Sequence, residues 1–103
     1  MSYDTNNIFA KILRGEIPCD KVFENDHALA FNDISPQAKV HVLIIPKVAY
    51  TAVDDFSKNA SIDDITSLMQ AVAEVCKITK VSLTEGGNGF RLIANTGTDG
   101  RQE

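Results

Sequence analysis

The chain contains no tryptophan, only two cysteines and only three prolines. It also lacks any cluster of lysine and arginine and any long apolar run. Each absence removes a class of function. Cys19 and Cys76 stand far apart and form no CxxC pair, so a disulfide framework does not fit and a reducing compartment is the expectation. No grouping of His, Cys, Asp and Glu has metal-ligand spacing, and neither a metal nor a cofactor is implied. The net charge is −4 and the pI is near 5.0. Without a basic run, binding that tracks a nucleic-acid backbone is not supported. A mononucleotide stays open, because backbone amides can hold a small anion without help from net charge. Residues 1–7 lack the charged start and apolar core of a signal peptide, and no segment reaches the roughly 20 apolar residues of a membrane span. A soluble, cytoplasmic protein with no membrane partner is expected.

What is present suits one domain: 103 residues, 44% of them hydrophobic and 23% charged, enough for a single modest core. Residues 5–14 read as a short helix. Thr5 or Asn6 can cap it, Ile8, Phe9, Ile12 and Leu13 form its apolar stripe, and Gly15 sits at the C-terminal cap. Ile17-Pro18 forces an extended turn. Val22 and Phe23 begin a strand, Glu24, Asn25 and Asp26 form a hairpin tip, and the chain returns through Ala28 to Asn32. His27, beside that tip, reads as a surface residue.

The richest stretch runs from Phe31 to Lys47 and reads as strand, turn, strand. Leu29, Phe31 and Asp33 share one face by the period-two rule, and Ser35-Pro36 makes the turn. Beyond it, His41, Leu43 and Ile45 face one way and Val40, Val42 and Ile44 the other. With apolar residues on both faces, this strand is expected to be covered on both sides. Residues 48–58 read as a loop with one helical turn, anchored by Tyr50, Val53 and Phe56. A longer helix follows, capped by Ser61 with Asp64 three residues on. Its apolar face would be Ile65, Leu68, Met69, Val72, Val75 and Cys76, and it should end near residue 80. After a glycine-rich loop, Phe90 to Asn95 reads as a strand, and Asp99-Gly100 as a hairpin turn whose second arm is missing. A lost sheet partner and a frayed terminus are the two readings of that ending. Helix, hairpin strands, helix and strand together indicate an α+β domain on a mainly antiparallel sheet.

Three places could carry chemistry. His41 is either a partly buried histidine satisfied by a backbone carbonyl or a proton-handling imidazole. Asp33 is either a turn-stabilising carboxylate or an acceptor for sugar hydroxyls. The segment from Asn95 to Gln102 is either a plain turn or a cradle of exposed amides for phosphate. Spacing alone leaves these alternatives open.

Five motifs occur in order: Ile8-Phe9-x-Lys11-Ile12, Glu16-Ile17-Pro18, Ala30 to Ala38, His41 to Lys47, and Asn95-x-Gly97-x-Asp99-Gly100-x-Gln102. Together they resemble the histidine triad (HIT) superfamily, in its Hint branch of purine nucleoside phosphoramidases, over nearly the whole chain. The resemblance implies a HIT-like α+β fold with a five-stranded antiparallel sheet, a homodimer joined through the long helix, and a pocket for a purine nucleoside monophosphate or its conjugates. By matching position, Phe9, Ile12, Ile17, Phe31, Ile34 and Leu43 would wall the base and Asp33 would bind the ribose. Asn95, Gly100 and Gln102 would approach the phosphate, with His41 supporting the catalytic imidazole. Asn32 stands where relatives often carry histidine, next to the base. Asn7 and Ala10 replace the cysteines that bind zinc in some relatives, so no metal is expected. The family's reaction passes through a nucleotidyl-histidine on the middle residue of a His-x-His-x-His segment, which would follow Gln102 and is not among these residues. The expectation is thus a single HIT-like domain over 1–103, without the catalytic strand and inactive alone. The alternative is a non-catalytic nucleotide-binding or interaction protein.

Overall fold

A computed structural model of the chain describes residues 8–34, 36 and 38–96. Its order is α1 (Ile8–Leu13), β1 (Lys21–Glu24), β2 (Ala28–Asn32), β3 (Val42–Pro46), α2 (Val53–Asn59), α3 (Ile62–Thr79) and a short 3-10 turn (Leu83–Glu85). Helix α1 ends as expected. Gly15 takes φ +78°, where a side chain would be strained. Its N–H donates to the Ile12 carbonyl at 3.0 Å and that of Glu16 to Lys11 at 2.9 Å, which satisfies two of the helix's last carbonyls. The caps foreseen at Thr5 and Asn6 lie outside the described residues.

The three strands form an antiparallel sheet in the order β1-β2-β3. A bulge interrupts β1 between Lys21 and Phe23. The hairpin tip is built by Asn25, whose Oδ1 accepts from the N–H groups of His27 (2.9 Å) and Ala28 (2.8 Å). Its Nδ2 reaches out to the Ser67 carbonyl of α3 at 3.1 Å. Glu24, at the end of β1, lies between Lys21 (2.7 Å) and Lys47 (2.5 Å). Hydrogen bonds from Lys21 and then Lys47 hold its carboxyl down at about 2.

Strand β2 is the centre of the core: Ala28 and Ala30 are fully buried, and Leu29 and Phe31 nearly so. Pairs Phe31↔Leu43 and Leu29↔Ile45 present large side chains to one face, and Ala30↔Ile44 and Asn32↔Val42 belong to the other. Phe9 of α1 meets Phe31 with ring centroids 6.4 Å apart. Helix α3 packs across all three strands and shares the Val42 and Ile44 face. There Ala28, Ala30 and its own Ala71 are fully buried; small residues allow that close approach.

Four expectations are corrected here. Strand β3 is only half-buried along its length, because it ends the sheet. Helix α3 buries Asp64, Ala71, Val75 and Cys76, whereas Ile65 and Met69 are 37% and 54% exposed. Its apolar stripe is wider than the sheet it meets. The stretch after Lys47 holds a full helix, α2, anchored by Phe56, with Val53 exposed. Finally, 90–95 forms no ladder, and Phe90, Leu92 and Ile93 are more than half exposed. A strand is defined by its partner, and this segment has none among the described residues. The five-stranded sheet is accordingly three-stranded over those residues.

Helix α3 stops where β-branched residues suggested. Lys80 takes φ 60°, with its N–H on the Lys77 carbonyl at 3.3 Å and that of Val81 on Cys76 at 3.2 Å. The chain then folds back so closely that a Cβ on Gly87 would strike the Lys80 and Val81 backbone. The left-handed position of Lys80 carries a steric cost that glycine avoids. Lys80→Gly should therefore stabilise the fold by about 1 kcal/mol. Urea titration should show a higher midpoint at an unchanged slope.

Candidate functional site

The turn after β2 brings an acid and an imidazole together. The Asp33 N–H donates to the His41 carbonyl at 2.9 Å, one step beyond the Asn32↔Val42 pair, so the ladder itself sets their spacing. His41 Nε2 lies 3.4 Å from Asp33 Oδ2, and about a quarter of each side chain is exposed. The imidazole therefore sits against a carboxylate within reach of solvent, an arrangement that orients a ring and can take or give a proton.

On the same face as Phe31, Leu43 stands opposite it and Phe9 packs beside it. These three make an apolar wall next to the acid and imidazole. Ile12, one turn further along α1, and Ile17, after the Gly15 turn, are both half-buried. Ile34 is 88% exposed and adds nothing to the wall. Asn32 is exposed; its Nδ2 donates to Asp20 Oδ2 at 2.8 Å and its N–H to the Asp20 carbonyl at 2.9 Å. Asn95 is exposed on the unpaired segment. Gly100 and Gln102 lie outside the described residues. The structure thus gathers Phe9, Phe31, Leu43, Asp33 and His41 and leaves Ile34 in solvent.

The opposite face carries an open groove of about 740 Å³ between β3, the second half of α3 and the segment 86–93. Val42 and Ile44 form one side and Val72, Val75 and Cys76 its floor; His41 lies at its edge.

A second polar constellation was not anticipated. Asp64 is 5% exposed. Its Oδ1 lies 2.8 Å from His27 Nδ1, and its Oδ2 accepts from the Tyr50 hydroxyl at 2.8 Å. Its N–H donates to Ser61 Oγ at 3.0 Å, the cap that the spacing foretold. The Tyr50 hydrogen bond, opposed by burial and helped by His27, holds the Asp64 carboxyl below the usual range. Burial and the nearby Asp64 push the Tyr50 hydroxyl up. Tyr50 also meets Phe56 edge-on at 5.0 Å. His27 is thus tied to α3 rather than free at the surface. One signal could have found this: Asp64 lies in line with Leu68, Ala71 and Val75 at helical spacing, so it points inward with them.

Cys19 and Cys76 are unpaired. Among the described residues no cluster of acidic, His or Cys side chains could hold a metal, and no helix is long and apolar enough to cross a membrane.

The HIT domain family model matches residues 14–103. A HIT-like protein of Azospirillum brasilense is 51% identical over 99% of this chain and 80% of its own length. The purine nucleoside phosphoramidase of Escherichia coli K12 is 44% identical over 93% of this chain and 76% of its own. Among solved structures, a histidine triad protein from Clostridium difficile superposes with a TM-score of 0.81 at 37% identity, over 99% of this chain and 84% of that one. A HIT family hydrolase from Legionella pneumophila gives 0.76 at 37% identity, over 95% and 83%.

Because the Asp64 carboxyl titrates lower in the folded state than the roughly 3.9 of a free aspartate, its contribution is fully present above that pH and is lost as pH falls. Tyr50→Phe removes the largest cause of that shift. It should lower the melting midpoint by about 5 °C at neutral pH. The gap to the parent chain should shrink as pH drops from 5 to about 3; calorimetry across that range checks it.

Proposed function

Because the chain belongs to the HIT family, we propose that it carries the nucleotide-binding part of a purine nucleoside phosphoramidase-type hydrolase. The observation that carries this reading is the pairing of Asp33 with His41 beside the wall of Phe9, Phe31 and Leu43. A purine lies flat against aromatic and aliphatic side chains, and a carboxylate offers two acceptors to adjacent ribose hydroxyls. Ile12 and Ile17 extend the base wall. Asn32, held by Asp20, stands near its rim. Asn95, with Gly100 and Gln102 by family correspondence, serves the phosphate.

The reaction is a double displacement. A nucleophilic imidazole attacks the α-phosphorus, the bond from phosphorus to the amine breaks, and the amine leaves with a proton. Water then cleaves the nucleotidyl-histidine, returning the imidazole and releasing the nucleoside monophosphate. By family correspondence the nucleophile is the middle histidine of a His-x-His-x-His segment, whereas His27 lies on the hairpin bound to Asp64 and His41 stands against Asp33. His41 is a positioning residue in this reading, and neither it nor His27 belongs to a His-x-His-x-His segment. In this reading the Asp33–His41 turn and its apolar wall bind the nucleotide. The reducing cytoplasm suits two unpaired cysteines.

Titration calorimetry with AMP should show saturable binding below about 1 mM, and Asp33→Ala should weaken it at least about tenfold, or 1.4 kcal/mol. No heat at millimolar AMP, or an unchanged affinity in Asp33→Ala, would overturn the assignment.

Assembly is the second part of the reading. Ile62, Ile65 and Met69 leave an apolar stripe of α3 exposed on the helix through which a family-type homodimer forms. Light scattering should give twice the 11.2 kDa chain mass, and Met69→Lys should shift the protein toward monomer.

A further inference from the structure

We propose that Asp20 is a positioning residue for Asp33: through Asn32 it clamps the end of β2 that carries the ribose acceptor. This role rests on the nucleotide reading of Asp33. The first support is the direction of two successive amides. The Asp33 N–H donates to the His41 carbonyl at 2.9 Å, toward β3. The Asn32 N–H donates to the Asp20 carbonyl at 2.9 Å, toward the start of β1. An antiparallel sheet imposes this alternation on its central strand. The backbone that presents the Asp33 carboxylate is therefore held from both sides.

The end of a ladder is where it opens most readily. Asp20 stands at such an end, one residue before β1 begins at Lys21 and two after Pro18, which has no N–H to extend the pairing. A second bond offsets this weakness. Asn32 Nδ2 donates to Asp20 Oδ2 at 2.8 Å, so backbone and side chain of one residue both close on the other. A carboxylate acceptor makes this a stronger bond than an amide acceptor would. Asn32 belongs to the face of β2 away from Phe31 and Leu43, as the alternation of the strand requires. Asp20 is thus tied to the face opposite the apolar wall, and its influence on a ligand there passes through the Asn32 backbone to Asp33.

The same clamp ties two parts of the pocket together. Asp20 ends the segment that leaves α1 at Gly15 and carries the half-buried Ile17, and Asn32 adjoins Asp33. The side that walls the base and the acceptor for the ribose are joined here by two hydrogen bonds between one pair of residues. Both residues are exposed, whereas the middle of β2 is anchored by the fully buried Ala28 and Ala30. Losing the side-chain bond should therefore loosen Asp33 and leave the core of the strand in place. A loosened carboxylate has more freedom to lose when it meets the ribose hydroxyls, and it binds them more weakly.

Chemical-shift titrations of the isotopically labelled chain with AMP and with dideoxy-AMP, which lacks both ribose hydroxyls, separate the clamp from the pocket. Hydrogen exchange on the same samples reads the clamp without any ligand. Asp20→Ala should weaken AMP binding about fivefold and speed exchange at the Asp33 amide at least about tenfold. Asp20→Asn keeps an acceptor for Asn32 and should recover most of both. Dideoxy-AMP offers Asp33 nothing to accept from, so it should bind the parent chain and Asp20→Ala equally. An unchanged Asp33 amide in Asp20→Ala, or an equal loss for AMP and its dideoxy analogue, would overturn the role of Asp20. Absence of AMP binding to the parent chain would instead overturn the nucleotide reading, and exchange at Asp33 would then decide the clamp by itself.

Discussion

The buried carboxylate of Asp64 holds together parts of the chain that have little else in common. It takes His27 from the β1–β2 hairpin and Tyr50 from the segment before α2, and its backbone closes the cap of its own helix on Ser61. A charge at this depth is tolerable only with such partners. Once they are in place, the hairpin tip is fixed on α3, and the adjacent contact from Asn25 to Ser67 has a defined distance to span. The placement of β2 over Ala71 follows, and with it the orientation of the strand end that carries Asn32 and Asp33.

The sheet then divides the molecule into two faces of different character. Large residues on one side, Phe31 and Leu43 with Phe9 over them, make the wall beside Asp33 and His41. Alanines on the other side admit α3, and where they give way to Val42 and Ile44 the groove opens. His41 lies where the two meet, against Asp33 and at the groove's edge. The two faces therefore meet at the same short turn. Its order depends on the ladder bonds that flank it.

Local signals were legible in the sequence, and partner-dependent ones were not. Gly15, Ser61 and the stop near residue 80 were readable because a cap is decided by a few neighbouring residues. The alternation of β3 was readable too, including which residues share a face with His41. Its burial was not, because period-two patterning says nothing about how many strands flank a strand. The same gap explains 90–95, whose Phe90, Leu92 and Ala94 alternate as a strand should but find nothing to pair with among the described residues. Asp64 was read as a helix-start residue, and its inward role escaped because its partners lie 37 and 14 residues away. Of the site, the motif Ala30 to Ala38 singled out Asp33, which stands beside His41, and Ile34, which stands in solvent.

Among the described residues, the unpaired edge of β3 and the exposed apolar residues of 90–93 have one physical root. Each half of a ladder is costly in isolation: the edge leaves backbone groups to water, and the segment leaves Phe90 and Leu92 there. Natural edges are usually protected by charge, by a bulge or by proline. β1 carries the bulge, between Lys21 and Phe23. β3 has only Pro46 at its far end, with Val42 and Ile44 unguarded before it. Val42 and Ile44, which line the groove, thus stand where β3 meets no further strand among the described residues.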